Sequence, residues 1–395
     1  MSDRFKTILK IIALLAFVTV VGFGFYYLLF GPKPDLTPTT PVITITPGSL
    51  PGAGPAGERP PASPEETALK PSAFARGGLT AITTLTTAPV LSPSLINGEA
   101  GYYNPTDGRF YTINSQGEST ALLLNSFPSA SNVVISSSNN QAILEFPDST
   151  NIVLNLQTGL TTTLPAHWEE FAFTAEDNIV SKALGQDPSN RALTVTTANG
   201  TNTKVIAALG LNQQFVTVSP APNATTLGFS KTGPGGNLFG QQEVYLISAD
   251  GEADASIIIN GSNFKPSWSP SSKNILYSVS DASLNYQDSL WYASAIGDRA
   301  GGTRLRLPVQ TTADKCVFAN ETVIYCGVPV SQSIGGSGIN PSNSDYLYKL
   351  SLPSGTATLL AIPAEKTAIN NPVWNPDSEL LYFQDEQGRL TSIAL

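Results

Sequence analysis

Short apolar runs alternate with polar turns from about residue 78 to the end of the chain. Residues 243–248 read Glu-Val-Tyr-Leu-Ile-Ser and are followed by an Asp-Gly turn, and residues 346–351 read Tyr-Leu-Tyr-Lys-Leu-Ser. Runs of this length, bounded by Gly, Pro, Ser or Asn, are typical of β-strands joined by tight turns. Alternate side chains along such strands fill the spaces between packed sheets. The pattern predicts an all-β domain over residues 78–395.

The strands recur in units of similar order. Residues 266–277 (PSWSPSSKNILY) are echoed by residues 372–382 (PVWNPDSELLY). An x-Pro turn is expected after the first strand of four units, at Pro93, Pro220, Pro270 and Pro376. Neighbouring units are 38 to 56 residues apart, close to the roughly 40–50 residues of a four-stranded propeller blade. The apolar anchors that mark the units are Leu91, Ile135, Phe173, Val218, Trp268, Phe318 and Trp374. The repeat therefore predicts a seven-bladed β-propeller of four-stranded antiparallel blades.

The last unit lacks one strand. Its strands are expected near Trp374, at residues 380–384 and at residues 389–393, and the chain then ends at Leu395. Residues 79–86 read like a fourth strand that has no unit of its own. Pairing this strand with the last unit would close the ring and remove an exposed edge. We therefore expect the N-terminal strand at about residues 79–86 to complete blade 7.

A membrane segment is predicted ahead of the propeller. Residues 11–30 form an uncharged apolar run, which as a helix would span about 30 Å, one hydrocarbon core. Three basic residues precede the run and only Lys33 follows it closely, so residues 1–10 are expected in the cytoplasm and the propeller outside it, in the periplasm or at the cell surface. A cleaved signal peptide is the alternative, but no Ala-x-Ala-like site follows the run. We favour an uncleaved signal anchor and a single-pass membrane protein.

The segment between the apolar run and the propeller, residues 31–77, is rich in Pro, Thr and Gly. Such a composition buries no core and stays extended. It is expected to be a linker that lifts the propeller off the membrane. A disordered tether without a length requirement is the alternative.

The repeat resembles that of TolB-type (WD40-like) propellers, which reads roughly Pro-x-Trp-Ser-Pro-Asp-Gly-x-x-Ile-x-Phe. Ser271 and Ser272 stand where the family has Asp-Gly. The resemblance covers about the last four-fifths of the chain and is strongest in blades 4, 5 and 7. It implies the propeller fold and a binding role in the cell envelope, and it implies no particular partner because one fold serves many functions. The matching positions are Pro266, Trp268, Ser269, Pro270, Ile275 and Tyr277.

Composition and charge narrow the chemistry. The formal net charge of −9 argues against a nucleic-acid partner. His167 is the only histidine, and no Gly-x-Ser-x-Gly element accompanies it, so a Ser-His-Asp site is not expected. There is no His/Cys cluster at zinc spacing, and residues 250–254 lack the residue order of a calcium loop. These observations predict a protein that is not an enzyme, with no cofactor and no metal.

Two functions fit these features. The first is a non-catalytic, membrane-anchored envelope protein whose monomeric propeller binds a protein partner, an envelope or surface protein, within a larger assembly. The alternative is a carbohydrate-binding or hydrolytic propeller that uses a central pocket. Trp268 and Trp374 suggest a stacking platform for sugars, but their repeat position favours packing between blades. The absence of a catalytic constellation favours the first function.

The two cysteines, Cys316 and Cys326, flank the expected hairpin between the first two strands of blade 6. With the turn centred near Glu321 the two residues lie opposite each other, where Cα atoms of a non-hydrogen-bonded pair are about 4.5 Å apart. That distance allows a disulfide, and an exported domain permits one. Two buried thiols are the alternative, because the register is uncertain by one residue.

Four consecutive blades carry long loops between their second and third strands, at residues 184–191, 231–241, 280–289 and 328–344. Phe239, Tyr286 and Ile339 lie in these loops without an obvious place in a core. Long loops that pack no core commonly carry function, so these three residues are candidate contacts for a protein partner. Neutral insertions are the alternative, since longer loops cost little.

Overall fold

The computed structural model describes residues 70–395 except 115, 137, 139, 232–239, 254, 282–283, 331–343 and 353. These residues form an all-β propeller with seven blades of four antiparallel strands each, and the sheet of blade 6 carries an additional fifth strand. The predicted fold class is confirmed for this part of the chain. The predicted cytoplasmic tail, the apolar run and the linker as far as residue 69 lie outside the described residues. Within the described part, none of the helices has both the length and the apolar character that a membrane crossing requires.

In blades 1 to 3, the strands of each blade lie in chain order from the central channel to the outer edge. Two short strands come first, β1 (Gly78–Thr80) and β2 (Thr83–Thr84). Blade 1 consists of β3 (Leu91–Ile96), β4 (Glu99–Asn104), β5 (Arg109–Ile113) and β6 (Ser119–Ala121). Blade 2 consists of β7 (Asn132–Ile135), β8 (Gln141–Glu145), β9 (Asn151–Asn155) and β10 (Thr161–Leu164). Blade 3 consists of β11 (Trp168–Phe173), β12 (Ile179–Leu184), β13 (Arg191–Thr196) and β14 (Lys204–Ala208).

The second half continues in the same order. Blade 4 consists of β15 (Val216–Val218), β16 (Thr226–Lys231), β17 (Gln241–Ser248) and β18 (Ala255–Asn260). Blade 5 consists of β19 (Ser262–Trp268), β20 (Asn274–Asp281), β21 (Gln287–Ser294) and β22 (Arg304–Arg306). Blade 6 consists of β23 (Cys316–Asn320), β24 (Val323–Pro329), β25 (Asp345–Ser351) and β26 (Thr356–Pro363), and blade 7 of β27 (Asn370–Asn375), β28 (Leu380–Gln384) and β29 (Leu390–Ala394) with β2. Short 3-10 helices lie at Pro188–Asn190, Gly210–Phe215, Gly297–Arg299 and Ala313–Lys315.

The core lies between the blades rather than within them. Each interface between neighbouring blades holds an apolar cluster built from the two facing sheets. At the interface of blades 1 and 2, Tyr103 and Phe110 pack with Leu144, and all three are at most 1% exposed. Alternate residues of a strand point to opposite faces of its sheet, so each blade supplies side chains to two clusters. Burial of this kind stabilises the ring by about 1.5–3 kcal/mol for each large side chain.

The repeated tryptophans are packing residues. Trp268 stacks on Phe229 of blade 4 at 5.4 Å between ring centroids, and its indole N–H donates to the backbone oxygen of Ser219 at 3.0 Å. Trp374 packs edge to face with Tyr325 of blade 6 at 5.1 Å. The expected packing between blades is confirmed, and neither indole belongs to a sugar platform in the channel.

The segment before blade 1 closes the ring in two steps. Thr83–Thr84 (β2) pairs antiparallel with β29 and supplies the fourth strand of blade 7. Gly78–Thr80 (β1) instead pairs in parallel with β26 as a fifth strand of blade 6. The expectation of one continuous strand over residues 79–86 is therefore wrong for Leu79 and Thr80. These residues cover the outer edge of blade 6, which would otherwise be exposed.

The first turn of blade 1 also differs from the expectation. Pro93 lies inside β3, and the turn is the Asn97-Gly98 pair, with φ of 53° and 81°. Two successive residues with positive φ are the geometry of the tight hairpin turn that favours Asn-Gly. The Ser-Pro at residues 92–93 has the same letters as the Ser-Pro turn of blade 5, but it forms a bulge at the start of the inner strand.

The predicted disulfide is confirmed. Cys316 on β23 pairs directly with Cys326 on β24, with Cα atoms 4.1 Å apart, and the two sulfur atoms are bonded. Cys326 is fully buried and Cys316 is nearly so. The bridge fixes the beginning of the inner strand of blade 6 next to the Ala313–Lys315 helix.

Candidate functional site at the channel mouth

The inner strands of four blades share one irregularity at their first residues. In each case three steps along the inner strand face two steps along the neighbouring strand, which defines a one-residue β-bulge. The bulges span residues 91–94 of blade 1, 169–172 of blade 3, 262–265 of blade 5 and 370–373 of blade 7. They lie at the end of the inner strands that receives the connections between blades. We refer to this end of the central channel as the channel mouth.

A left-handed backbone accompanies every one of these bulges. Ser92, Glu170, Asn263 and Asn371 have φ of 49°, 53°, 55° and 45°. This region costs a residue with a side chain up to about 1–2 kcal/mol, and glycine is the usual residue at such a bulge position. All four positions keep a polar side chain instead. Strained polar residues cluster at functional sites, so the four mark the channel mouth as the candidate site.

The bulged residue of blade 7 is tied to a buried amide. Asn371 Nδ2 donates to Gln384 Oε1 at 2.6 Å, and Gln384 Nε2 donates to the backbone oxygen of Val90 at 2.6 Å. Gln384 is buried and Asn371 is exposed. The pair connects blade 7 to the segment that enters blade 1 and holds the Asn371 side chain at the channel mouth.

The bulged residue of blade 3 is half of an ion pair. Lys182 Nζ lies 2.6 Å from Glu170 Oε1, and the two side chains are 4% and 51% exposed. A buried lysine requires a charged or hydrogen-bonding partner, and the bulge places the carboxylate of Glu170 over it. The buried lysine thereby fixes the position of an exposed carboxylate.

The remaining two bulged residues also make polar contacts. Asn263 Nδ2 donates to Ser280 Oγ at 3.1 Å, and the Ser280 hydroxyl donates to Asp288 Oδ1 at 2.9 Å. The Ser92 hydroxyl donates to the backbone oxygen of Val133 in blade 2. Each of the four bulges therefore holds a side chain that can donate or accept hydrogen bonds at the channel mouth.

The bulges alternate around the ring, in blades 1, 3, 5 and 7. The inner pairing of blades 2 and 4 is regular, and the irregularity of blade 6 lies at the other end of its inner strand, next to Asn320. The ring has an odd number of blades, so the alternation is broken at one point. There, blades 7 and 1 are neighbours and both carry a bulge. The inner strands of these two blades, β27 and β3, are in contact.

Two cavities meet at this pair of blades, one with mainly polar walls and one whose walls are half apolar. The first, the 6–7 cavity, has a volume of about 380 Å³, and the second, the 7–1–2 cavity, about 430 Å³. Both include Asn371 and Gln384 in their walls, so they adjoin at the bulge of blade 7. The walls of the 6–7 cavity are Asp314, Lys315, Asn370, Asn371, Gln384, Asp385, Glu386 and Gly388. Those of the 7–1–2 cavity are Leu91, Ser92, Pro93, Ser94, Asn132, Val133, Val134, Ile135, Asn371 and Gln384.

A hydroxyl without a partner belongs to the 7–1–2 cavity. Ser94 Oγ is buried and has no hydrogen-bond partner, and Ser94 is part of the cavity wall. Buried polar atoms are nearly always hydrogen-bonded, so an exception calls for an explanation such as a bound molecule. The Ser94 oxygen itself has almost no exposed surface, so it lies behind the cavity wall.

Ion pairs surround the 6–7 cavity. Lys315 lies 2.6 Å from Asp345, whose side chain is 2% exposed, and the backbone N–H of Ile369 also donates to that carboxylate at 2.6 Å. Burial raises the pKa of Asp345 above its ordinary value, and the charge of Lys315 and the N–H of Ile369 oppose that shift. Lys265 pairs with Asp314 at 2.8 Å. Lys315 is thus held between a buried carboxylate and the cavity.

A second group of charges lies on the side of blades 2 and 3. Asn132, which lines the 7–1–2 cavity, donates to Glu145 Oε1 at 2.6 Å. Burial raises the pKa of Glu145, the Asn132 hydrogen bond lowers it, and the charges of Glu169 and Glu170 raise it further. Glu145 therefore keeps its proton to a higher pH than an ordinary glutamate. A carboxyl group with a raised pKa is a candidate general acid.

The structure places only some of the residues that the sequence singled out. Tyr286 is 73% exposed with φ of 60°, and its N–H donates to the backbone oxygen of Asp281 at 2.9 Å. Phe239 and Ile339 lie outside the described residues. His167 is exposed in the turn before β11. The three candidate contacts for a protein partner thus stay predictions.

Metal binding has no support among the residues described. No group of three or more His, Cys, Asp or Glu side chains in the described part of the chain is placed to hold a metal ion. In the walls of the 6–7 cavity, Asp314 is engaged by Lys265 and Asp385 by Arg389.

Comparison with protein-family models finds no match, and no curated protein matches the chain. Solved structures do match. An oligogalacturonate lyase from Vibrio parahaemolyticus is 10% identical, with 79% of this chain and 93% of that chain covered and a TM-score of 0.51. An oligogalacturonate lyase in complex with manganese is 12% identical, with 80% and 93% covered and a TM-score of 0.54. The β-propeller domain of Cps50 (Swd1) from Myceliophteria thermophila is 13% identical, with 80% and 99% covered and a TM-score of 0.51. At these identities the likeness shows the fold alone.

The expectation that the protein is not an enzyme is contradicted by these neighbours. Two of them are oligogalacturonate lyases, so a propeller that matches along most of this chain can carry catalysis. The expectation rested on the absence of a histidine-based or metal-based site. It overlooked carboxyl groups from different blades, such as Glu145 and Glu169, which no local motif announces.

The bulged residues are the part of the site that the sequence analysis missed. A signal for them exists, because each is a polar residue followed by Pro or Phe at the start of an inner strand. Phe171 and Phe264 are 6% and 5% exposed, and Pro93 and Pro372 occupy the same place in the other two bulges. The polar residue and the apolar residue after it therefore form a two-residue pattern that marks the bulge.

Proposed function

We propose that this protein is a carbohydrate-active propeller that binds a saccharide at the channel mouth and hydrolyses it there. One observation carries the proposal: four strained, polar bulge residues surround an opening at which a polar cavity and a half-apolar cavity adjoin. Glycine would relieve the strain at these positions. A polar residue that is kept there despite the strain is expected where its side chain contacts a ligand.

The chemistry of the walls suits sugar hydroxyls. A hydroxyl both donates and accepts hydrogen bonds, so it pairs well with amides, carboxylates and ammonium groups placed side by side. The 6–7 cavity offers Asn370, Asn371 and Gln384 together with Lys315. The side chain of Asn132 adds an amide in the 7–1–2 cavity.

Two carboxyl groups support the hydrolytic step. Glu145 has the raised pKa expected of a general acid, and it would protonate the oxygen of the glycosidic bond as that bond breaks. Glu169 is exposed and would take a proton from the water that attacks the anomeric carbon. This division of roles between two carboxyls is the usual one in glycoside hydrolysis. The fold shared with oligogalacturonate lyases supports carbohydrate chemistry on this scaffold.

Saccharide binding is tested by screening the full-length chain on immobilised glycans. The glycans that bind are then titrated by calorimetry. Release of reducing ends from the bound glycans tests the cleavage. We expect Glu145→Gln to abolish release and to leave binding within about threefold, because an amide keeps the shape and loses the proton. If no glycan binds, the proposal is wrong. If binding occurs and Glu145→Gln releases reducing ends at the normal rate, the catalytic assignment is wrong.

A protein partner is the second proposal, and it rests on Tyr286. A tyrosine that is 73% exposed at the tip of a loop is the kind of anchor that interfaces use. Membrane anchoring through residues 11–30 and kinship with TolB-type propellers are also kept as proposals. Crosslinking through a photoreactive group at the exposed position 287 in intact cells tests the partner, and capture that is unchanged when Tyr286 is replaced by Ser would count against this loop.

A further inference from the structure

The cations around the 6–7 cavity are all bound to carboxylates. Lys315 is paired with Asp345, and Lys265 with Asp314. Arg389 donates to Asp385 at 2.7 Å. A cation that is already paired attracts a further anion only weakly, because the field of its partner cancels its own at a distance. No unpaired cation therefore faces this cavity among the described residues.

A carboxylate without an ion pair remains in the wall. Glu386 lines the cavity, is exposed, and accepts a hydrogen bond from Gln387 Nε2 at 2.7 Å. The cavity and its paired groups thus hold four carboxylates against three cations, with Glu386 as the fourth. The charge that remains is negative and lies at the surface where a ligand would enter.

The opposite side of the channel mouth has the same sign. Lys182 is paired with Glu170, and Glu169 remains as an exposed carboxylate without an ion pair among the described residues. The charges of Glu169 and Glu170 are near enough to Glu145 to favour its protonated form. Both sides of the channel mouth therefore repel an anion.

We propose that the channel mouth selects neutral saccharides and excludes saccharides that carry carboxylates. This inference rests on the proposed function and adds the substrate class to it. A neutral sugar can use the amides of Asn370 and Asn371 and the donors of Lys315 without disturbing any ion pair. A uronate would have to compete with Asp345 for Lys315 while facing Glu386. Juxtaposed like charges are a strong source of discrimination.

Matched pairs of oligosaccharides test the selection. Each pair consists of a neutral oligosaccharide and the same oligosaccharide oxidised at C6 to the uronate, titrated into the full-length chain at neutral pH and 0.15 M salt. We expect the neutral member to bind at least about tenfold more tightly than the oxidised member. At 1 M salt this ratio should fall, because the screening length shrinks from about 8 Å to about 3 Å.

Two variants test whether charge is the cause of the preference for neutral oligosaccharides. Glu386→Gln should reduce the ratio of neutral to oxidised affinity severalfold, since it removes the unpaired charge and keeps the size. Glu176→Gln is the matched control, because Glu176 is equally exposed but lies in the β11–β12 turn, at the far end of the inner strand of blade 3. The control ratio should equal that of the parent chain.

The outcomes distinguish this inference from the proposed function. Tighter or equal binding of the oxidised member overturns the inference and leaves saccharide binding intact. The inference is also overturned if Glu386→Gln and high salt both leave the ratio unchanged. If neither member of any pair binds, the proposed function fails and the inference fails with it.

Discussion

Replacing Asn371 by glycine should separate ligand binding from folding. Glycine adopts φ of 45° without strain, which recovers up to about 1–2 kcal/mol. Against this stand two costs. The greater freedom of glycine in the unfolded chain costs about 0.4–1 kcal/mol, and loss of the part-buried hydrogen bond to Gln384 costs about 0.5–1.5 kcal/mol, because water in the adjoining cavities can replace the lost amide. These terms nearly cancel. The expected change in stability is within about 1 kcal/mol, or roughly 3 °C or less in melting temperature for a domain of this size.

Binding responds differently because the side chain itself is lost. If Asn371 contacts the saccharide in both cavities, Asn371→Gly should weaken binding by about tenfold, the equivalent of one or two hydrogen bonds. Asn97→Gly provides the control. Asn97 has φ of 53° in the β3–β4 turn, at the end of β3 away from Ser92, so the same substitution relieves the same strain far from the channel mouth. Its binding should match that of the parent chain.

Thermal unfolding and calorimetric titration of Asn371→Gly and Asn97→Gly, measured side by side, test this separation of binding from folding. The reasoning is refuted if Asn371→Gly melts more than about 6 °C below Asn97→Gly, because the asparagine would then be structural. It is refuted equally if both variants bind like the parent chain. In that case the strained residues serve only the twist of the inner strands.

Three further predictions concern stability. Replacing both Cys316 and Cys326 by alanine should cost about 3 kcal/mol, the value for a short closed loop, and calorimetric unfolding with and without reductant checks it. Deleting residues 70–87 should lower the melting temperature by several degrees, because it uncovers the edges of β26 and β29. An unchanged melting temperature would show that the closure is dispensable. Burial raises the pKa of Tyr277 to about 12 from 10.0. Its stabilising effect is therefore present below pH 10 and is lost as the pH rises towards 12, by roughly 3 kcal/mol in total. Tyr277→Phe should lack this alkaline loss in denaturant titrations.

The repeat architecture could be predicted from the sequence because it depends on local features that recur in every unit. Each predicted apolar anchor, from Leu91 to Trp374, lies in the first strand of its blade. The disulfide was accessible for the same reason, since a hairpin turn near Glu321 fixes which residues face each other. Packing between blades needs only apolar residues at alternate positions, and this requirement is visible in every unit.

The channel mouth was not accessible because it is built from residues far apart in the chain. Ser92 and Asn371 are separated by 279 positions, and only ring closure brings their blades together. The bulge itself depends on one extra residue in a pair of strands, which the apolar pattern does not reveal when the register is unknown. The misplaced turn at Pro93 shows this, since the same Ser-Pro letters mark a turn in blade 5 and a bulge in blade 1.

Ring closure and ligand binding meet at the same interface. Blades 7 and 1 are joined by Gln384 Nε2, which donates to Val90, and by Asn375 Nδ2, which donates to the backbone oxygen of Gly98 at 2.8 Å. A saccharide that contacts Asn371 and Ser92 would add bonds across this interface, which must separate if the ring opens. Ligand that binds only the closed ring stabilises it by RT ln(1 + [L]/Kd), about 2.7 kcal/mol at a hundredfold excess over Kd. Hydrogen exchange of the β2–β29 amides should therefore slow on addition of saccharide, whereas a site in another part of the ring would leave these amides unprotected.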